Sequence, residues 1–304
     1  MVVRPHHVDT VPPTGHDLAT EAAATVRPRR RSPSPKSHRT LIPREHGAYA
    51  ELLFPMVSVL LGGAPTAATW LLALAAMTCF LANEPVLVLV GSRGSRVKRQ
   101  NQKRARQALL IRGIIAVTTG ALGLWMAPAS ARIAVALPLL LGTGVAWMAI
   151  RGRERSRIGE TLAAAALASI ALPLGLTAGL SAATAAAVTA LWLLIALLAT
   201  ASVQLIVYQT RAKTEEARGR ARLIRALLLA ASLGVLVGAA VAPSAMGGPR
   251  WIVASVTPIA LLVTILAIVQ PTARRLRAVG WAFVAANLSC LIAVVAALRM
   301  SAGS

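Results

Sequence analysis

Apolar stretches about as long as a bilayer is thick recur along this chain, with clumps of Arg and Lys between them. A hydrocarbon core about 30 Å thick needs roughly 20 apolar residues per helix. On that scale, spans fall at about 47–61, 69–91, 107–126, 133–150, 158–180, 183–208, 223–241, 251–269 and 279–298. Lipid offers the backbone no hydrogen-bond partners, so each stretch predicts a helix. The predicted class is therefore all-α: a polytopic membrane protein with about nine transmembrane helices. Composition agrees. Of 304 residues, 56% are hydrophobic and only 14% charged, too little polar surface for a soluble domain of this length.

Charge gives an independent reading. Membrane proteins collect Lys and Arg in their cytoplasmic segments. If the N-terminal tail is cytoplasmic, every second connection should be basic. Those connections hold Arg93 to Arg112, Arg151 to Arg157, Arg211 to Arg225 and Arg274 to Arg277. Together with the tail they carry 29 of the 32 Lys and Arg, leaving Arg132, Arg250 and Arg299 on the other side. A missed helix would invert the pattern downstream of it. The N-terminus is expected inside and the C-terminus outside. The net charge of +22 is explained this way, and no zinc-finger, recognition-helix or RNA-platform pattern points to nucleic acid.

Residues 1–40 have no apolar core and are rich in Pro, Ser, Thr and Arg, as in Arg27-Pro28-Arg29-Arg30-Arg31-Ser32-Pro33. This composition predicts a disordered basic cytoplasmic tail, able to touch anionic lipid headgroups. The transmembrane domain is expected over about 41–300. Within it, two four-helix units look alike, at about 44–150 and 155–270, followed by one added helix at about 279–298. Each unit opens with a basic approach, a Gly and a Glu, then a proline: Glu45, Gly47, Glu51 and Pro55, against Gly159, Glu160 and Pro173. A Trp follows in the next helix, Trp70 or Trp192, and long basic loops are expected at matching places, 93–106 and 209–222. Cys79 and Cys290 both lie in apolar stretches and read as small buried residues.

Only ten acidic residues exist. A carboxylate at membrane depth is costly and usually faces a cavity or a partner. Helix counting puts Glu51, Glu84 and Glu160 toward the cytoplasmic side, where they could line one polar cavity among the first, second, fifth and sixth spans. A rim pairing with Arg44 or Arg157 is the plainer alternative for Glu51 and Glu160. Asn83-Glu84-Pro85 interrupts an apolar helix, and the proline frees backbone carbonyls there. The segment Pro43-Arg44-Glu45-His46-Gly47-Ala48-Tyr49 is the densest polar motif. It reads either as a hydrogen-bonded lid or as an interfacial anchor with Tyr49 at headgroup level. Arg211 and the basic loops could clamp an anionic headgroup, aided by Gln204, Tyr208 and Gln209. No nucleophile elbow, P-loop or dinucleotide fingerprint is present.

The run Ile42 to Tyr49, entering an apolar helix with Pro55, resembles the opening of the YwiC-like family of bacterial integral membrane proteins. That resemblance implies a bacterial cytoplasmic membrane. More distantly, the layout resembles the UbiA-type prenyltransferase superfamily, whose members have two four-helix repeats plus one helix. Ile158-Gly159-Glu160 is similar to the start of a repeat in its naphthoate-prenylating branch. The run from Ala196 through Tyr208-Gln209-Thr210-Arg211 to Glu216 and Gly219-Arg220 is similar to its second motif region. The resemblance implies an isoprenoid or quinone-type ligand, and Mg²⁺ at the carboxylates, with Glu84 as the ligand in the first motif. The chain departs from the superfamily's pattern. Asn83-Glu84 stands for the usual Asn-Asp, Leu87 and Gly91 supply no later acid, and Ala212 occupies the central aspartate position, leaving Glu215 and Glu216.

Three functional classes follow. One is a divergent UbiA-like protein that binds an isoprenoid or lipid-like substrate, using Asn83, Glu84 and Arg211. Another is a proton- or cation-coupled transporter that uses Glu51, Glu84, Glu160 and His46. The last is a membrane assembly or scaffold protein without catalysis. The charge pattern also makes a strict topological prediction: a reporter fused after Ser304 should read external, and a cytoplasmic signal would remove the nine-span arrangement.

Overall fold

The computed structural model describes residues 41, 46–153, 156–211, 214–245, 250–272 and 275–302. The tail 1–40 and the side chains of Arg44 and Glu45 lie outside them. Among the described residues there are eleven helices and no strand: α1 (His46–Gly62), α2 (Ala67–Val90), α3 (Ser95–Met126), α4 (Ala129–Ala134), α5 (Ala136–Ile150), α6 (Arg157–Ala168), α7 (Ala171–Thr177), α8 (Ala182–Arg211), α9 (Glu215–Ala245), α10 (Arg250–Val269) and α11 (Leu276–Ala302). Counted with α4–α5 as one rod and α6–α7 as another, seven are long and apolar enough to cross a membrane. Two shorter apolar helices cover Gly47–Gly62 and Ala254–Val269. The expected nine is reached when both of these also cross.

The breaks within the two rods follow from proline. A proline has no N–H for the carbonyl four residues before it and crowds that carbonyl. Pro173 thereby disengages Ser169, whose carbonyl instead accepts from the Leu172 N–H at 3.1 Å. The expected fifth span is accordingly two helices, α6 and α7. Pro138 sits the same way after Ala134, where α4 ends. Pro55, Pro85 and Pro258, by contrast, stay inside continuous helices.

The basic segments expected as loops are largely helical. α3 begins at Ser95, α8 runs to Arg211 and α9 begins at Glu215. Arg, Lys, Gln and Ala are strong helix formers, and nothing obliges a spanning helix to stop at the headgroups. The 32 residues of α3 extend about 48 Å at 1.5 Å per residue, well beyond the hydrocarbon. Thr214 starts α9 by accepting from the Ala217 N–H at 3.2 Å. Glu215 and Glu216 then suit the positive end of the helix dipole.

α1 and α8 form the centre. Met56 and Val59 of α1 and Val188, Leu191, Trp192 and Ile195 of α8 are buried in one cluster with residues of α6, α7, α10 and α11. α3 packs along α2 and otherwise presents an apolar surface, including Leu110, Val117 and Trp125. Such faces suit lipid. Exposed tryptophans lie near both ends of the rods, Trp70 and Trp125 at one and Trp147 and Trp281 at the other, as an aromatic belt would place them. Arg151 lies over the Trp147 ring at 4.5 Å.

At the end opposite the basic connections, the α1–α2 turn is fastened to α7. The Ala64 N–H donates to the Ala178 carbonyl at 2.8 Å. Thr66 Oγ1 donates to the Thr177 carbonyl at 3.1 Å. Arg299 of α11 donates to the Leu61 carbonyl at 2.9 Å. The fit depends on Gly63: a Cβ there would lie 2.9 Å from both the Ala178 carbonyl oxygen and its Cβ. Gly63→Ala should therefore destabilise the purified protein by about 1–3 kcal/mol in a detergent unfolding experiment. Gly234→Ala, where nothing lies within 4 Å of the added carbon, is the comparison that should not lose stability.

Candidate functional site

Among the described residues, two polar places matter for a site. The first surrounds Pro85. Gly91 and Gly94 adopt φ of 97° and 98°, a region that costs glycine little, and so close a short turn between α2 and α3. The turn folds Arg93 back along α2. Its Nε donates to Glu84 Oε1 at 3.1 Å and its Nη2 to Oε2 at 2.6 Å, a two-pronged charge-assisted pair. Glu84 is only 3% exposed. A carboxylate that deep requires such a partner. One turn above, Pro85 leaves the Leu81 carbonyl without its helical donor. Arg112 of α3 supplies one, donating through Nη1 to the Leu81 carbonyl and to the Leu41 carbonyl at 2.9 Å.

The second place is a cavity of about 460 Å³ bounded by α1, α6, α8 and α11. Its walls are mostly apolar, among them Ala163, Leu167, Ile195, Ala196, Ala199 and Phe283. Polar side chains are Glu51, Glu160, Thr200, Gln204 and Asn287. Gln204 Nε2 donates to Glu160 Oε2 at 3.0 Å. Asn287 donates to the Phe283 carbonyl of its own helix at 2.7 Å. Glu160 is exposed at the mouth, as are Val203 and Val284 on the facing helices. The cavity thus reaches the surface between α8 and α11, where a bilayer would lie.

Its inner end is built from Pro55 and Trp192. The indole Nε1 donates to Ser58 Oγ at 2.9 Å, and Ser58 donates to the Pro55 carbonyl at 2.7 Å. Phe54 stacks on Trp192 with ring centroids 6.1 Å apart. Ser58 is fully buried, and this chain of bonds satisfies its hydroxyl as donor and as acceptor.

The sequence-predicted residues divide between these places. Glu51 and Glu160 line the cavity. Asn83 and Glu84 do not line it; Glu84 is engaged by Arg93. Span two, expected as a wall, is replaced by α11, because α1 packs along α11 there. Tyr49 sits edge-on to Phe80 of α2 at 4.9 Å, a packing contact rather than a cavity wall. Arg157 lies over Tyr208 at 4.6 Å, while Glu160 takes the Gln204 amide. Glu215 and Glu216 are exposed and paired with Arg218 and Arg220 of the same helix. Arg44, with the side chains of His46 and Arg211, lies outside the described residues. Among the described residues no three of His, Cys, Asp and Glu converge, so the carboxylate set expected for Mg²⁺ is not assembled there. Asn287 was missed, and Arg112 was counted only among the basic connections. Asn287 is an amide in the apolar middle of α11, and that was the available signal.

Comparison with known proteins agrees with the opening motif. Residues 42–175 match the model of a family described as YwiC-like protein. The match takes in α1 to α6 and most of α7, and with them Glu51, Glu84 and Glu160. No curated protein and no solved structure matches the chain.

The Glu84–Arg93 pair generates a stability prediction. Arg93→Ala would leave a buried carboxylate without its fork and should cost about 3–5 kcal/mol. Combining it with Glu84→Gln should restore part of that loss. Unfolding in detergent checks both, and strict additivity of the two variants would contradict the pairing.

Proposed function

We propose that this protein takes an amphipathic, lipid-like molecule into the cavity between α1, α6, α8 and α11. The observation that carries the reading is the combination of an apolar chamber with a mouth between two lipid-facing valines, Val203 and Val284. A chamber of about 460 Å³ is in the range that accepts a small organic molecule or one chain of a lipid. Polar groups gather at Glu51, Glu160 and Gln204, toward the end of the bundle that carries the basic connections. By the charge pattern that end is cytoplasmic. The likeness to UbiA-type proteins supports a membrane-embedded binding site of this kind. It supports binding more than prenyl transfer, because Glu84 is engaged by Arg93 and the superfamily's aspartates are replaced.

A second reading rests on a separate observation. The rod α6–α7 is broken at Ser169–Ile170, close to Leu167 on the cavity wall. Discontinuous helices beside carboxylates occur in coupled transporters. That reading predicts flux through proteoliposomes that responds to a proton gradient and is lost in Glu160→Gln.

The lipid-like reading is tested by filling the chamber. Native mass spectrometry of protein extracted gently from its membrane should show a retained amphiphile. Ala199→Trp, which places an indole in the cavity, should reduce that species by about tenfold or more, the loss expected from a blocked apolar pocket. Equal retention by both proteins would overturn the reading.

A further inference from the structure

We infer that Trp192 is the floor of the cavity and sets the length of hydrocarbon tail that it accepts. The inference rests on the lipid-like occupant proposed above and specifies its tail.

The cavity is elongated along the helices. Its lining runs from Gln204 to Trp192 on α8 and from Gly47 to Pro55 on α1. At 1.5 Å per residue these walls are about 18 Å and about 12 Å long. Gln204 and Glu160, bonded to each other at 3.0 Å, mark one end. From there toward Trp192 the α8 wall offers Thr200, Ala199, Ala196 and Ile195, with a single hydroxyl among them.

Beyond Trp192 the protein is solid. Val188 of α8, Val59 of α1, Leu174 of α7 and Val294 of α11 lie further along their helices, are at most 1% exposed, and belong to one cluster. None of these four borders the cavity. The floor is also fixed in place. The Trp192 indole donates to Ser58 Oγ at 2.9 Å, and Phe54 is stacked on it.

A membrane already surrounds a tail with apolar groups, so entering the cavity gains little from the hydrophobic effect. Fit decides instead. A tail that stops short of the floor leaves empty space and forfeits contacts. A tail that is too long must bend or push the indole off its partners, and overfilling a packed region is costly. An extended chain advances about 1.25 Å per carbon, so walls of about 12–18 Å match a tail of roughly 10–14 carbons.

Monoglycerides with saturated chains of eight, twelve, sixteen and twenty carbons test this, each with a diazirine at its last carbon. They share one neutral head, so only length varies. Each is crosslinked to the full chain in a steroid-based detergent, which brings no alkyl tail of its own, and the labelled residues are mapped. The twelve-carbon tip should label the inner wall, at Pro55, Trp192 and Ile195, about tenfold more than the twenty-carbon tip. Ala196→Leu fills the space one helical turn before the indole, on the same face of α8. It should move the strongest cavity labelling to the eight-carbon probe. Trp192→Ala should move it to the sixteen-carbon probe. That variant removes a core side chain, so if it fails to fold, Ala196→Leu decides by itself. Equal inner-wall labelling by the twelve- and twenty-carbon tips would overturn the length inference, as would an Ala196→Leu protein that keeps the wild-type preference. In those cases the lipid-like occupant still stands. Absence of cavity labelling by all four probes would overturn the occupant as well.

Discussion

A bilayer gives the backbone nothing to bond to, so every carbonyl released by a proline must find a donor within the protein. Two such releases, at Pro85 and Pro173, shape this bundle. At Pro85 the helix continues, and the Leu81 carbonyl receives Arg112 from the neighbouring helix. At Pro173 the helix stops, and Ser169 is satisfied by a tighter turn. Beside Pro55, Ser58 and Trp192 build a hydrogen-bonded chain across α1 and α8. Three prolines thus set a polar clasp, a break and the inner end of a cavity.

The same economy governs charge. Most cations lie in the basic connections, and the described carboxylates are paired or line the cavity. Arginines and lysines extend α3 and α9 beyond the apolar rods. The one acid that is deeply buried, Glu84 among the described residues, is gripped by a guanidinium held in place by a two-glycine turn. The remaining membrane-level acids, Glu51 and Glu160, face the cavity. The basic connections expected as a clamp for anions flank a cavity lined by Glu51 and Glu160.

Much of the architecture was legible because a membrane simplifies it. Length and apolarity alone place the rods, and the helix bounds follow the predicted spans closely except at the starts of α3 and α9. What escaped was where the rods continue or break. Helix propensity carries α3 back to Ser95 through a run of charges that a hydropathy scale reads as loop. Proline alone does not announce whether it will kink or stop a helix. That depends on whether a donor such as Arg112 lies opposite the freed carbonyl.

The candidate site was legible only in part, for a related reason. Glu51, Glu84 and Glu160 stand out in sequence as acids at membrane depth, and counting along each helix places all three near one end. Counting cannot say which way each faces relative to the others. Packing of α1 against α11, rather than along α2, brings Asn287 and Phe283 to the cavity and leaves Glu84 to Arg93. The sequence by itself determined the all-helical membrane class, the uneven distribution of charge and the few residues able to carry chemistry, because those depend on composition measured along the chain. Only the tertiary structure decided which acids share a space and which are paired, because rotation of one helix against another is set by side-chain packing between segments far apart in the chain.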